Sequence, residues 1–220
     1  AASIVLTNPG LTDVVAAVQV SRQIYQRMLT YTLNKIVKTL EIATFLSLGL
    51  IVTGTFVVTP LLIVLLLFTN DFVTMSIATD RVSFSPKPDR WSIPTLLATA
   101  GPLAALILVL SFTVFFTGRD LLHLPLAQLQ TLVFVLLVFT GQGTVYLVRE
   151  RRHFWQSRPS RWLLLSTVFD VAVVGVLSTR GILMAPIRPA LVGGLLALVV
   201  VFLLAVETLK VPLFKRLGLH

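Results

Sequence analysis

Glu41, Asp71 and Asp170 are acids set inside stretches apolar enough to cross a bilayer. A charged side chain at mid-bilayer costs about 2.5–3.5 kcal/mol on insertion scales, so an acid kept there points to an ion or proton path. Asp71 is the strongest of the three. It lies in residues 69–80, TNDFVTMSIATD, next to Asn70 and close to Thr69 and Thr74. Hard cations favour such oxygen-rich sets, and a proton path needs an intramembrane acid. The Asn70–Asp71 pair also predicts a local break in its helix, since unwound backbone is tolerated at membrane depth where it lines a cavity.

On the preceding span, Asn34, Lys38 and Glu41 fall at i, i+4 and i+7, which puts them on one helical face. Lys35 is off that stripe and reads as a snorkelling residue at the headgroups. Lys38 either snorkels too or pairs with Glu41 one turn away. Glu41 and Asp71 are expected to face each other and hold an ion together. Asp170, in the run VFDV, could be a second ionic site, but reads more readily as a carboxylate hydrogen-bonded within the bundle. Gln142 and Thr144 read as interhelical hydrogen-bond partners. Asp80 and Glu207 read as residues at the membrane boundary.

The rest of the chain must position these groups in lipid. Of its 220 residues, 56% are hydrophobic and 12% charged, against about 25% charged in soluble domains. This is an integral membrane protein. Lys and Arg number 18 against 9 acids, an excess that suits loops facing anionic lipid rather than nucleic acid. There is no cysteine, which excludes disulfides, zinc–thiolate sites and cysteine catalysis. His123, His153 and His220 lack metal-ligand spacing, and no Walker loop, nucleophile elbow or dinucleotide fingerprint occurs. The sequence makes no metal site certain, and no catalytic residue is expected in this segment.

Six apolar segments satisfy the ~20-residue rule for a span, near residues 36–58, 61–79, 95–116, 129–148, 162–178 and 190–206. The predicted fold is an all-α, polytopic membrane bundle. The first helix starts at Thr12 or Asp13 and runs without a breaker to Thr59-Pro60. Connections alternate in charge. One side has Arg22 and Arg27, then Arg81, Lys87 and Arg90, then Arg149, Arg151, Arg152, Arg158 and Arg161, and lastly Lys210, Lys215 and Arg216. The other side has only Arg119, Arg180 and Arg188. The positive-inside bias therefore places both termini in the cytoplasm. Residues 3–7 suggest a short strand and Asn8-Pro9-Gly10 a turn, the remnant of a cytosolic α/β domain. The chain opens on Ala1 with no signal peptide, which reads as a piece of a longer polypeptide.

Three stretches, ASIVLTNPGL, SRQIYQRMLTYTLNKI and TNDFVTMSIATDRVSFSPKPDRW, resemble the C-terminal membrane part of a P-type ATPase, notably the bacterial proton-pump-like group. The resemblance makes residues 1–20 the end of the phosphorylation domain and the start of a stalk helix. Residues 21–220 become the transport domain, the fifth to tenth membrane helices. It implies that Asp71 is the family's central ion or proton acceptor, with Asn70, Thr74, Glu41, Lys38 and Asn34 around it and Asp170 as a secondary candidate. Proton pumps of the plant and fungal type carry an arginine on the fifth helix as the counter-ion of that acid; Glu41 stands at the corresponding position here, with Lys38 and Lys35 as the nearest cations.

The family's DKTG, TGE and GDG motifs are absent. The segment is thus expected to bind no cofactor itself, while the full-length pump would use ATP and Mg. The implied partners are the transported cation, the bilayer and the remaining cytosolic and N-terminal membrane parts, with no nucleic acid. A proton is the favoured cargo and a metal cation such as Mg, Ca or K the alternative. The implied location is a bacterial or archaeal plasma membrane. A reading of another class, a six-span regulatory or partner-binding protein, stays open. A secondary transporter would show an internal repeat, and none is present.

Overall fold

The computed structural model describes residues 11–82, 92–150 and 157–216, with side chains as far as Lys210. The expected strand and turn of residues 3–10, the proline-rich loop at 83–91 and the arginines at 151 and 152 lie outside them. All regular structure among the described residues is helical. Among the described residues six helices are long and apolar enough to span a membrane.

Helix α1 covers Thr12–Thr53. At ~1.5 Å per residue it is about 63 Å long, twice the ~30 Å hydrocarbon core, so its arginine-bearing first half extends beyond the bilayer. Its N-cap is Leu11, which gives no side-chain bond, and Asp13 occupies the first turn, where an acid suits the helix dipole. It stops earlier than expected because Gly54 adopts φ 66° and its N–H closes on Leu50 O at 2.8 Å, a left-handed cap open to glycine. Helix α2, Pro60–Ser76, starts with Pro60 in the first turn and Thr59 Oγ1 accepting from Leu62 N at 3.3 Å. It runs unbroken through Asn70-Asp71, and the irregular part comes later, as a 3₁₀ turn at Ile77–Thr79. The predicted break is therefore displaced: side-chain hydroxyls of Thr74, Ser76 and Thr79 bond backward to carbonyls one turn earlier, and such back-bonds bend a helix end.

Helix α3, Ile93–Phe116, continues into a π turn at Thr117–Leu121. Helix α4 is Leu126–Arg149, α5 is Arg161–Arg180 and α6 is Pro189–Arg216. Ser160 caps α5, its Oγ accepting from Leu163 N at 3.1 Å.

The bundle is organised around α4, which is buried along nearly its whole length. Helices α1 and α3 pack on one another, α1, α2, α3, α5 and α6 all touch α4, and α2 also meets α5. Phe45, Phe115 and residues 132–139 form the core, with Phe45 and Phe112 rings 4.9 Å apart. Outward faces carry large apolar side chains such as Ile51, Phe68 and Val201, as contact with lipid tails requires. At one end of the bundle, Gln128 and Gln130 of α4 donate to Pro186 O at 3.0 Å and Phe56 O at 2.6 Å.

At the other end Asp80 is buried, not solvated as its sequence position suggests. Arg149 Nε meets its Oδ2 at 2.9 Å, Ser160 N meets its Oδ1 at 2.9 Å, and Arg27 Nε reaches its carbonyl at 2.9 Å. The carboxylate ties the end of α2 to α4 and α5 while the Asp80 carbonyl adds α1, and the arginine fork explains why the acid can be buried. Glu207, expected at the boundary, is likewise buried and pairs with Lys210 at 2.9 Å. Lys210 also donates to Leu147 O and Glu150 O at the end of α4, where a cation suits the negative end of the dipole.

Candidate ion site between the first, second and fourth helices

Thr30, Asn34, Lys38 and Glu41 are all buried on one face of α1, as their spacing of about four residues predicts. Glu41 is fully buried at 0% exposure. It is satisfied at both oxygens. Lys38 Nζ donates to Oε2 at 2.7 Å, and Thr140 Oγ1 of α4 donates to Oε1 at 3.2 Å. The same ammonium reaches Leu137 O at 3.0 Å and Thr140 Oγ1 at 3.3 Å. Lys38 therefore does not snorkel. Its charge is held among three oxygens in the bundle interior, an arrangement that offsets the desolvation of both ions.

Asn70 is buried against the same spot. A Cβ on Gly141 of α4 would stand 2.6 Å from Asn70 Oδ1 and 3.3 Å from Lys38 Cε. Gly141 thus leaves the space in which α1 and α2 bring their polar groups together. Asn34, one turn before Lys38, keeps a buried Oδ1 without a partner among the described residues. Thr74 is buried but bonds back to Asn70 O at 2.9 Å and Asp71 O at 3.1 Å, so its hydroxyl braces the helix.

Asp71 is arranged differently from expectation. Successive helical residues point ~100° apart, so with Asn70 turned toward α4, Asp71 is carried off that face. Its side chain is 64% exposed and pairs with Lys35 Nζ at 2.8 Å. Lys35, expected to snorkel, instead bridges α1 to α2 and lies 5.6 Å over the Tyr31 ring. Glu41 and Asp71 therefore have separate lysine partners. Beside Lys35, toward the Arg27 end, an apolar cavity of about 580 Å³ opens between α1 and α2, lined by residues including Met28, Tyr31, Thr74 and Met75.

Asp170 of α5 is buried and accepts from Gln142 Nε2 of α4 at 2.9 Å. Thr144 bonds within its own helix, to Thr140 O at 2.7 Å. Sequence reasoning missed Thr140, Gly141 and the Leu137 carbonyl. Their signal was present in the run TGQG, small and polar residues interrupting an otherwise bulky apolar helix, which is how membrane helices approach closely.

No protein-family model matches the chain. A candidate cation-transporting ATPase of Methanocaldococcus jannaschii is 34% identical over 218 residues, which is 99% of this chain and 27% of that protein. Plasma membrane ATPase 1 of Saccharomyces cerevisiae is 28% identical over 182 residues, 81% of this chain and 20% of its own length. The plasma membrane ATPase of Zygosaccharomyces rouxii is 30% identical over 182 residues, again 81% and 20%. The six spans fit the C-terminal membrane part of a P-type ATPase. The chain spans about a quarter or less of the length of these relatives.

Proposed function

We propose that this chain is the ion-translocation part of an ATP-driven cation pump, and that the cation is a proton moved outward across a plasma membrane. The observation that carries the reading is the Lys38 ammonium seated among Glu41, Leu137 O and Thr140 beside Asn70. A tethered cation already fills the oxygen cage that a metal ion would need, which supports a proton over Mg, Ca or K. The names of the relatives, cation-transporting and plasma membrane ATPases, support the pump.

In this reading both termini lie in the cytoplasm, and α1 is the stalk that carries the motion of the rest of the pump. Lys35 and Lys38 ride on α1 while Asp71 rides on α2. Drawing α1 away separates Lys35 from Asp71 and lets a proton take the place of the ammonium; returning it expels the proton. The two positions differ in proton affinity, as any ligand-driven switch requires. ATP and Mg would be handled by the remaining parts of the pump, since the phosphorylation motif DKTG does not occur in these 220 residues.

The test uses the full-length protein in sealed vesicles, with ATP-driven acidification followed by a pH-sensitive dye. Asp71→Asn is expected to abolish acidification while the protein still assembles. Acidification unchanged by that substitution overturns the role of Asp71. ATP hydrolysis stimulated by a metal cation, with no acidification, replaces the proton by that metal. No ATP-coupled transport at all returns the chain to the regulatory or partner-binding class.

A further inference from the structure

Four successive residues of α4 serve four different neighbours. Thr140 meets Lys38 and Glu41 of α1, Gly141 meets Asn70 of α2, Gln142 meets Asp170 of α5, and Gly143 meets Leu203 of α6. Thr140 and Gln142 are ~200° apart around the helix, so the Gln142–Asp170 contact lies across α4 from the lysine–glutamate site. Nothing in the transport reading uses it.

Asp170 is 3% exposed. None of the ion pairs among the described residues includes it. The polar groups packed around α5 are otherwise engaged. From α2, Ser76 meets Ser166 at 3.2 Å. From α4, Tyr146 donates to Thr167 at 3.0 Å, and Arg149 is held by Asp80. From α6, Glu207 and Lys210 pair with each other. Asp170 is left with a neutral amide. The amide oxygen of that residue, Gln142 Oε1, is buried without a partner among the described residues.

An ionised carboxylate can only accept, so an ionised Asp170 would leave Gln142 Oε1 orphaned in an apolar interior, and both facts are costly. A proton on Asp170 Oδ1 removes both. It neutralises the acid and supplies the donor that Oε1 lacks, while Oδ2 keeps its bond from Nε2. Turning the amide over would set Oε1 against Oδ2, and that arrangement needs the same proton.

We propose that Asp170 is a second proton-binding site inside the membrane, where the neutral carboxyl and the Gln142 amide form a two-bond acid–amide pair on the face of α4 opposite Lys38 and Glu41. The pair does not depend on which ion is pumped, so its fate and that of the transport reading are separable.

The test is infrared spectroscopy of the full-length protein in vesicles at neutral pH. A carbonyl stretch from a protonated carboxylic acid is expected, sensitive to deuterium oxide and lost in Asp170→Asn. A spectrum unchanged by that substitution overturns the proposal. Gln142→Leu removes the donor to the acid's carbonyl and is expected to move the band to higher frequency; a band that stays in place overturns the pair, and this variant serves also if Asp170→Asn fails to assemble. Asp71→Asn and Glu41→Gln are expected to leave the band intact. A band that disappears in either of them and survives Asp170→Asn is another acid's, and overturns the proposal.

Discussion

The two sides of α4 treat a buried acid in opposite ways. Glu41, toward α1, is matched by a lysine one turn away and by a threonine across the helix interface. Asp170, toward α5, is matched by an amide. A charged pair in a low-dielectric interior is expensive to separate, so its geometry is tightly held unless a conformational change moves the whole element. An acid–amide contact is weaker and holds a proton more readily than a metal. The contrast teaches that two carboxylates equally hidden from solvent are not equivalent. The partner decides which can take part in a switch driven by the motion of α1.

That contrast can be broken most forcefully at Lys38. Lys38→Met leaves Glu41 buried and unpaired, with an expected loss of about 3–5 kcal/mol, read as a lowered unfolding temperature of the detergent-solubilised full-length protein. Lys38→Met combined with Glu41→Leu is expected to recover most of it, because no charge then remains without a partner. Additive losses in the double variant would mean that the two residues do not act as a pair.

Gly141→Ala should come next. Its Cβ would stand 2.6 Å from Asn70 Oδ1, and overpacking of that kind costs about 1–3 kcal/mol. Gly143→Ala drives the same methyl into the Leu203 side chain, three carbons of which crowd it, so a loss at least as large is expected there. A negligible loss at either position, measured by thermal unfolding, would show that its interface is loosely packed.

Gln142→Leu should cost less, roughly 0.6–2 kcal/mol for each of the interhelical hydrogen bonds it removes. A loss as large as that of Lys38→Met would show that the α5 side carries a charge pair after all. Lys35→Ala is expected to act on transport. Lys35 is the ion-pair partner of Asp71 at 2.8 Å, so ATP-driven acidification should fall; acidification left unchanged would separate that pair from the ion path.

Much of the fold was legible because lipid imposes a strong rule. A span needs ~20 apolar residues, and six such runs stand out between polar connections. The stripe Asn34, Lys38, Glu41 was legible for the same kind of reason, since helical period alone sets which residues share a face. Boundaries were less so. The end of α1 at Gly54 depended on a single left-handed residue, and the α6 helix extends past its expected limit because Glu207 and Lys210 are buried against the end of α4.

Partners were the least legible part. The types of Asp71, Asp80, Lys35 and Arg149 are written in the chain, but nothing in their spacing says that Asp80 meets Arg149 at a separation of 69 residues or that Lys35 meets Asp71 at 36. The two adjacent residues Asn70 and Asp71 show the limit most clearly. Period fixes that they point apart by about a quarter turn. Which of them turns toward α4 depends on how α2 is rotated against its neighbours, and that rotation is settled by Gly141 leaving room for an amide. From its sequence alone this protein is a six-span membrane bundle with acids in its interior, because apolar length and helical period are local properties. That Glu41 is bound by one lysine, Asp71 by another and Asp170 by an amide was decided only by tertiary packing, because long-range contacts depend on the rotation of each helix about its own axis.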